Sequence, residues 1–120
     1  MIPERPKKVH KAWGYELWLA NNESEDYCGK ILHIREGKST SMHYHNKKHE
    51  TFYVLEGTLM VDSLADLYKQ DDKFSIMCEK GSTLEMKRNT AHKLIAYEGS
   101  VTLIEISTFH RDEDSLRLWR

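Results

Sequence analysis

Along most of this chain apolar and polar residues alternate in short runs, each closed by turn-forming residues. Glu16-Leu17-Trp18-Leu19 ends at Asn21-Asn22, and Tyr27 to Ile34 ends at Glu36-Gly37, where glycine reaches positive φ at little cost. Thr51 to Leu55 meets Glu56-Gly57 and Thr58 to Val61 follows at once, which predicts a hairpin. Phe74 to Cys78 closes at Lys80-Gly81, Ala91 to Tyr97 closes at Glu98-Gly99, and Val101 to Ile106 is the last run. Such regularly spaced strands, rich in β-branched and aromatic residues, argue an antiparallel sandwich or barrel. Two weak helical candidates remain, around Leu64 to Tyr68 and over Asp112 to Trp119, where Asp112, Glu113 and Asp114 suit a helix N-terminus.

The length of 120 residues supports one domain, expected to span 1–120 with an N-terminal arm over 1–12 and a C-terminal tail over 111–120. With 18 Lys+Arg against 19 Asp+Glu, both signs spread along the chain, there is no basic field for a nucleic-acid backbone, so no nucleic-acid partner is expected. The cluster Arg5, Lys7, Lys8 and Lys11 reads as a solvated tail. No run approaches the roughly 18 to 20 apolar residues of a membrane span, and the first residues lack a secretory h-region, so a cytoplasmic location without membrane contact is expected. Cys28 and Cys78 sit singly in strand text, as small buried thiols that stay reduced.

Histidine is the residue that changes this picture. His43 and His45, two apart in β-type sequence, leave one face of a strand, where a single metal ion can take both. Glu50 opens the apolar run that follows, an unexpected place for a carboxylate beside a core. His92 opens a distant strand and shares its face with Leu94 and Ala96; alone, it would read as a satisfied core histidine. The spacing of His45 and His49 would suit a helix, and His49-Glu50 opens like a zinc-protease motif, but position 53 is Tyr and the intervening run is strand-like. No nucleophile elbow and no phosphate-binding glycine loop is present.

Gly37-x5-His43-x-His45-x4-Glu50-x6-Gly57 resembles the first motif of the cupin superfamily in full. The second, Gly-x5-Pro-x-Gly-x2-His-x3-Asn, is matched at Gly81 and His92, while Lys87, Asn89 and Ala96 replace its proline, glycine and asparagine. Asn89 still tolerates the left-handed conformation of a turn. The resemblance implies an all-β cupin double-stranded β-helix, a jelly-roll barrel of antiparallel strands, with His43, His45, Glu50 and His92 as metal ligands in its mouth. Three imidazoles and a carboxylate suit one divalent transition metal, Mn, Fe, Co, Ni or Zn, without choosing among them.

Over most of its length the chain is similar to the cupin domain of type II mannose-6-phosphate isomerases. Lys11-Ala-Trp13-Gly14-Tyr15-Glu16 resembles that domain's entry, and Leu103 to Ile106 followed by Asp112 to Arg117 resembles its close. The loop between His45 and Glu50 is two residues longer here. The resemblance implies a sugar or sugar-phosphate substrate and an isomerase using metal-assisted proton transfer, with Glu50 or Glu105 as the base. Strand parity points Phe52 inward with Glu50, and Lys30 inward with Leu32 and Ile34. Lys30 and Phe52 are therefore candidate substrate-binding residues, although a strand-end lysine also snorkels to solvent. Glu105 shares a face with Leu103, but Ile104 and Ile106 make the opposite face equally apolar, so its direction stays open. His10, His33 and His110 receive no chemistry, and His49 reads as a loop residue beside the site. An Fe-dependent cupin oxygenase and a non-catalytic module binding metal and sugar are the alternatives. The outward row Tyr53 and Leu55 makes a homodimer an expectation.

Overall fold

The computed structural model describes residues 1–120 as nine antiparallel strands, joined by short turns. These are β1 (Lys7–Lys11), β2 (Gly14–Asn22), β3 (Tyr27–Ile34), β4 (Met42–Tyr44), β5 (Glu50–Leu64), β6 (Lys73–Cys78), β7 (Thr83–Met86), β8 (His92–Ser107) and β9 (Leu116–Trp119). Two of them, β5 with 15 residues and β8 with 16, are long and pair with each other along both halves. The first half of β5 and the second half of β8 belong to a sheet ordered β1-β2-β3-β8-β5-β7. Their other halves cross into a facing sheet ordered β9-β4-β8-β5-β6.

The crossing occurs where the sequence reads as a hairpin and as separate strands. Glu56-Gly57 does not reverse the chain; the strand continues through it with two register shifts. Gly57 has φ +84°, and a Cβ at that position would collide with the Ser100 carbonyl of the neighbouring strand, so the bend requires glycine. Glu98 and Gly99, both at positive φ, bend β8 alongside it. The paired bends turn the sheet back over its own apolar face.

Each bend also resets strand parity. Inward residues on β5 are Glu50, Phe52 and Val54 before the bend and Leu59, Val61 and Ser63 after it. On β8 they are His92, Leu94 and Ala96, then Val101, Leu103, Glu105 and Ser107. Glu105 therefore points in, while Ile106 is exposed. These rows meet Leu32 and Ile34 of β3 in a twelve-residue apolar core, which includes the free thiol Cys78. Cys28 is also a buried free thiol. A smaller cluster of Met42, Leu64 and Ala91 packs under Trp119.

The ends of the chain differ from expectation. Lys7–Lys11, read as part of a solvated arm, pairs along β2, and Lys7 and Lys8 lie over the rings of Trp18 and Tyr15. Neither helical candidate is an α-helix. The first is turns leading to a 3-10 turn at Gln70–Asp72. The second is a 3-10 turn at Asp112–Asp114 followed by β9, which pairs with β4 and completes the second sheet. The segment is only eight residues long, too short to sustain helical turns against the strand pairing on offer. Leu55 is exposed and Tyr53 half-buried. No helix is long and apolar enough to cross a membrane.

Candidate metal centre

One end of the barrel is polar inside and opens as a cleft of about 660 Å3. Its floor is set by strand register: His43 of β4 lies opposite His92 of β8, and Glu50 of β5 opposite Ser107 of β8. His45 follows β4 by one residue. The three imidazoles converge, their ring centroids 4.4 to 5.5 Å apart.

Backbone carbonyls fix which nitrogen of each ring is free. His43 Nδ1 lies 2.8 Å from Ser41 O, His45 Nδ1 3.0 Å from Asp114 O, and His92 Nδ1 2.9 Å from Thr90 O. A carbonyl only accepts, so each Nδ1–H donates and each Nε2 keeps its lone pair for the centre. Burial, with His92 nearby, pushes His43 down to about 3. Burial likewise outweighs the Glu50 charge and pushes His45 down to about 4, so both rings are neutral near pH 7.

Glu50 Oε2 stands 3.1 Å from His92 Nε2 and 3.6 Å from His45 Nε2. Glu50 Oε2 and His92 Nε2 are buried without a hydrogen-bond partner, two lone-pair donors facing one point. A cation placed beside both atoms would satisfy them. His43, His45 and His92 bring nitrogens within 4.8 Å of one another and could hold a metal ion. Glu50 completes a donor set of borderline nitrogens and one hard oxygen, which fits a divalent transition metal.

Lys48 lies beside this cluster and is almost wholly buried. Its Nζ is 3.2 Å from Glu50 Oε1, 3.1 Å from Glu105 Oε2 and 3.0 Å from His110 Nδ1. Burial opposes its charge, but Glu105 and Glu50 outweigh burial and hold Lys48 above the usual lysine range. Burial would raise Glu50; the Lys48 ammonium reverses that and holds it well below the carboxylate range. Glu105 goes the other way, because burial and the Glu50 charge outweigh Lys48. An ammonium only donates, so His110 Nδ1 accepts and its Nε2–H donates to Asp112 Oδ1 at 2.9 Å.

Lys30 is buried and inward, with Nζ 3.4 Å from Glu16 Oε1 and 4.4 Å from the Trp18 ring centroid. It does not snorkel. Phe52 lies beneath the site, its ring 6.1 Å from that of His92. His49 turns away to Glu85 at 2.8 Å.

Lys48, His110 and Asp114 escape sequence reasoning. Asn46 to Lys48 reads as a solvated loop, yet Asp114 accepts the backbone N–H groups of all three residues and folds the loop inward. The one available signal is that Lys48 precedes Glu50 by two, which places both on one side of extended chain. Asn89, in the left-handed region, donates its N–H to His45 O at 2.7 Å, so the turn before His92 survives the loss of the motif's glycine.

No protein-family profile and no curated protein matches the sequence. Solved structures do match. CapF, a capsular polysaccharide assembling protein from Staphylococcus aureus, is 13% identical, with 98% of this chain and 34% of that chain covered at a TM-score of 0.83. A variant oxalate decarboxylase from Bacillus subtilis is 13% identical, covering 98% of this chain and 33% of that one at a TM-score of 0.77. KdgF from Halomonas sp. is 17% identical, covering 82% and 81% at a TM-score of 0.66. The chain spans about a third of the length of CapF and of oxalate decarboxylase. These likenesses show the fold, an antiparallel jelly-roll barrel.

Proposed function

We propose that this cupin-fold chain is a metal-dependent protein acting on a small carbohydrate, a sugar or sugar phosphate, as an isomerase. The observation that carries the reading is the floor of the cleft: three Nε2 lone pairs and one carboxylate oxygen aimed at a common point, with a second carboxyl in the same cavity. His43, His45, His92 and Glu50 would hold one divalent transition metal. When bound, the metal supplies Lewis-acid polarisation of a substrate's carbonyl and hydroxyl oxygens. Mn(II) centres described for Bacillus subtilis oxalate decarboxylase favour Mn among the candidates. CapF's part in assembling a polysaccharide is in keeping with a carbohydrate substrate.

The remaining steps belong to the chain. Glu105 faces the cleft with its carboxyl raised toward neutrality, so it is suited to hold a proton and return it to the neighbouring carbon. Glu50, held ionised, serves better as ligand than as base. Lys30 and Phe52 line the wall. Phe52 keeps that wall dry, and Lys30 offers a fixed ammonium to a sugar oxygen or phosphate beside its Glu16 partner.

Incubating Mn(II)-loaded protein in D2O with mannose and fructose phosphates, and with unphosphorylated pentoses, is expected to exchange a C1 or C2 hydrogen of one substrate. Full metal loading with no exchange across the panel overturns the isomerase. Oxygen uptake by the Fe(II)-loaded protein would instead favour the oxygenase.

A further inference from the structure

Lys48 is fixed at both ends. Its backbone N–H donates to Asp114 Oδ2 at 3.0 Å, and its ammonium has three donors for three acceptors, Glu50 Oε1, Glu105 Oε2 and His110 Nδ1. No donor is left for a substrate, so its work is done on the groups it touches. Of the two Glu50 oxygens, Oε1 is occupied by the ammonium and Oε2 is the partnerless one beside His92 and His45.

We propose that Lys48 is a positioning residue that makes Glu50 a one-oxygen ligand and so keeps coordination positions open for substrate. The proposal rests on the metal-centre reading above. A carboxylate free to turn can give both oxygens to a metal ion and take a position that a water or a sugar hydroxyl would use. With Oε1 engaged by an ammonium, only Oε2 is available, and losing a group that holds a ligand in this way typically costs about 10–100-fold in metal affinity or activity. His110 and Glu105 hold the ammonium from the far side, so it cannot swing to follow a moving carboxylate.

The test counts exchangeable water on bound Mn(II), by water-proton relaxation, in the wild-type protein, Lys48→Met and Lys48→Arg. Lys48→Met is expected to lose one metal-bound water and so show lower relaxivity, and Lys48→Arg, which keeps N–H donors and charge, to recover it. Equal relaxivity in wild type and Lys48→Met overturns the proposal while leaving the metal centre standing. A wild-type protein that takes up no Mn(II) overturns the metal centre itself and this proposal with it. If Lys48→Met does not fold, infrared spectra of metal-loaded wild type with labelled glutamate decide the matter. A wide separation of the two carboxylate stretches is expected for a one-oxygen ligand, and a narrow separation overturns the proposal.

Discussion

The two ends of the barrel interior are built from the same inward rows of β3, β5 and β8, yet they obey different energetics. In the middle of β8, Leu94, Ala96, Val101 and Leu103 pack with Leu32, Ile34, Val54 and Val61. Each such side chain adds stability in proportion to apolar area, about 25 cal/mol per Å2. At the cleft end the same rows carry His92, Glu105 and Glu50, and beside them Lys30 and Lys48 are nearly as buried as the leucines. Charges there lose water and regain it only through one another, so a buried ion network is at best neutral against well-packed apolar residues. The apolar end holds the barrel closed; the polar end adds little to that stability, and the proposed metal site gives it a different role.

That contrast is broken most severely from the apolar side. Leu103→Ala, at a position with no exposure, is expected to cost about 2–5 kcal/mol in urea unfolding while the folded fraction keeps its metal stoichiometry. A loss of metal in step with stability would mean that the two ends are not separable. Next comes Asp114→Ala, which strips the loop N–H groups of 46 to 48 of their shared acceptor. Unpartnered buried donors cost about 1–3 kcal/mol, and amide exchange over those residues should accelerate while the Leu32 to Ile34 amides stay protected. His43→Ala and His92→Ala should disturb stability less than Leu103→Ala does, because the Nε2 atoms make no structural hydrogen bond, yet bound metal should fall sharply in both by elemental analysis. Full metal content in both variants would remove the site.

The same contrast marks what the sequence could and could not disclose. Period-two alternation on β3 places Lys30, Leu32 and Ile34 on one face, and the structure keeps them there. The motif resemblance, more than spacing, implies that His43, His45, Glu50 and His92 meet, and in the fold the three imidazoles and the Glu50 carboxylate do converge. What alternation could not supply is parity across a bend: with Ile104 and Ile106 as apolar as Leu103, only the kink at Glu98-Gly99, matched to that at Gly57, turns Glu105 inward. Nor could it reveal that Asp114 serves a loop some 66 residues earlier instead of a helix of its own. Lys48, His110 and Asp114 act through long-range contacts between polar segments, and polar segments carry no period from which to read a partner.

The finest test concerns how dry the polar end is. His110 is only 10% exposed at its side chain, and burial, reinforced by the Lys48 ammonium, pushes it down to about 4. Its folded value lies below the unfolded value of 6.5. As pH falls, the unfolded chain therefore takes up that proton first. The stabilising contribution is complete above pH 6.5 and is lost as pH falls from there toward 4. By proton NMR the His110 ring should titrate near 4, and His110→Gln should flatten the acid side of the stability profile slightly. A His110 midpoint near 6.5 would mean that water reaches Lys48 and screens it, and the polar end would then be a wet surface cleft instead of the dry counterpart of the core.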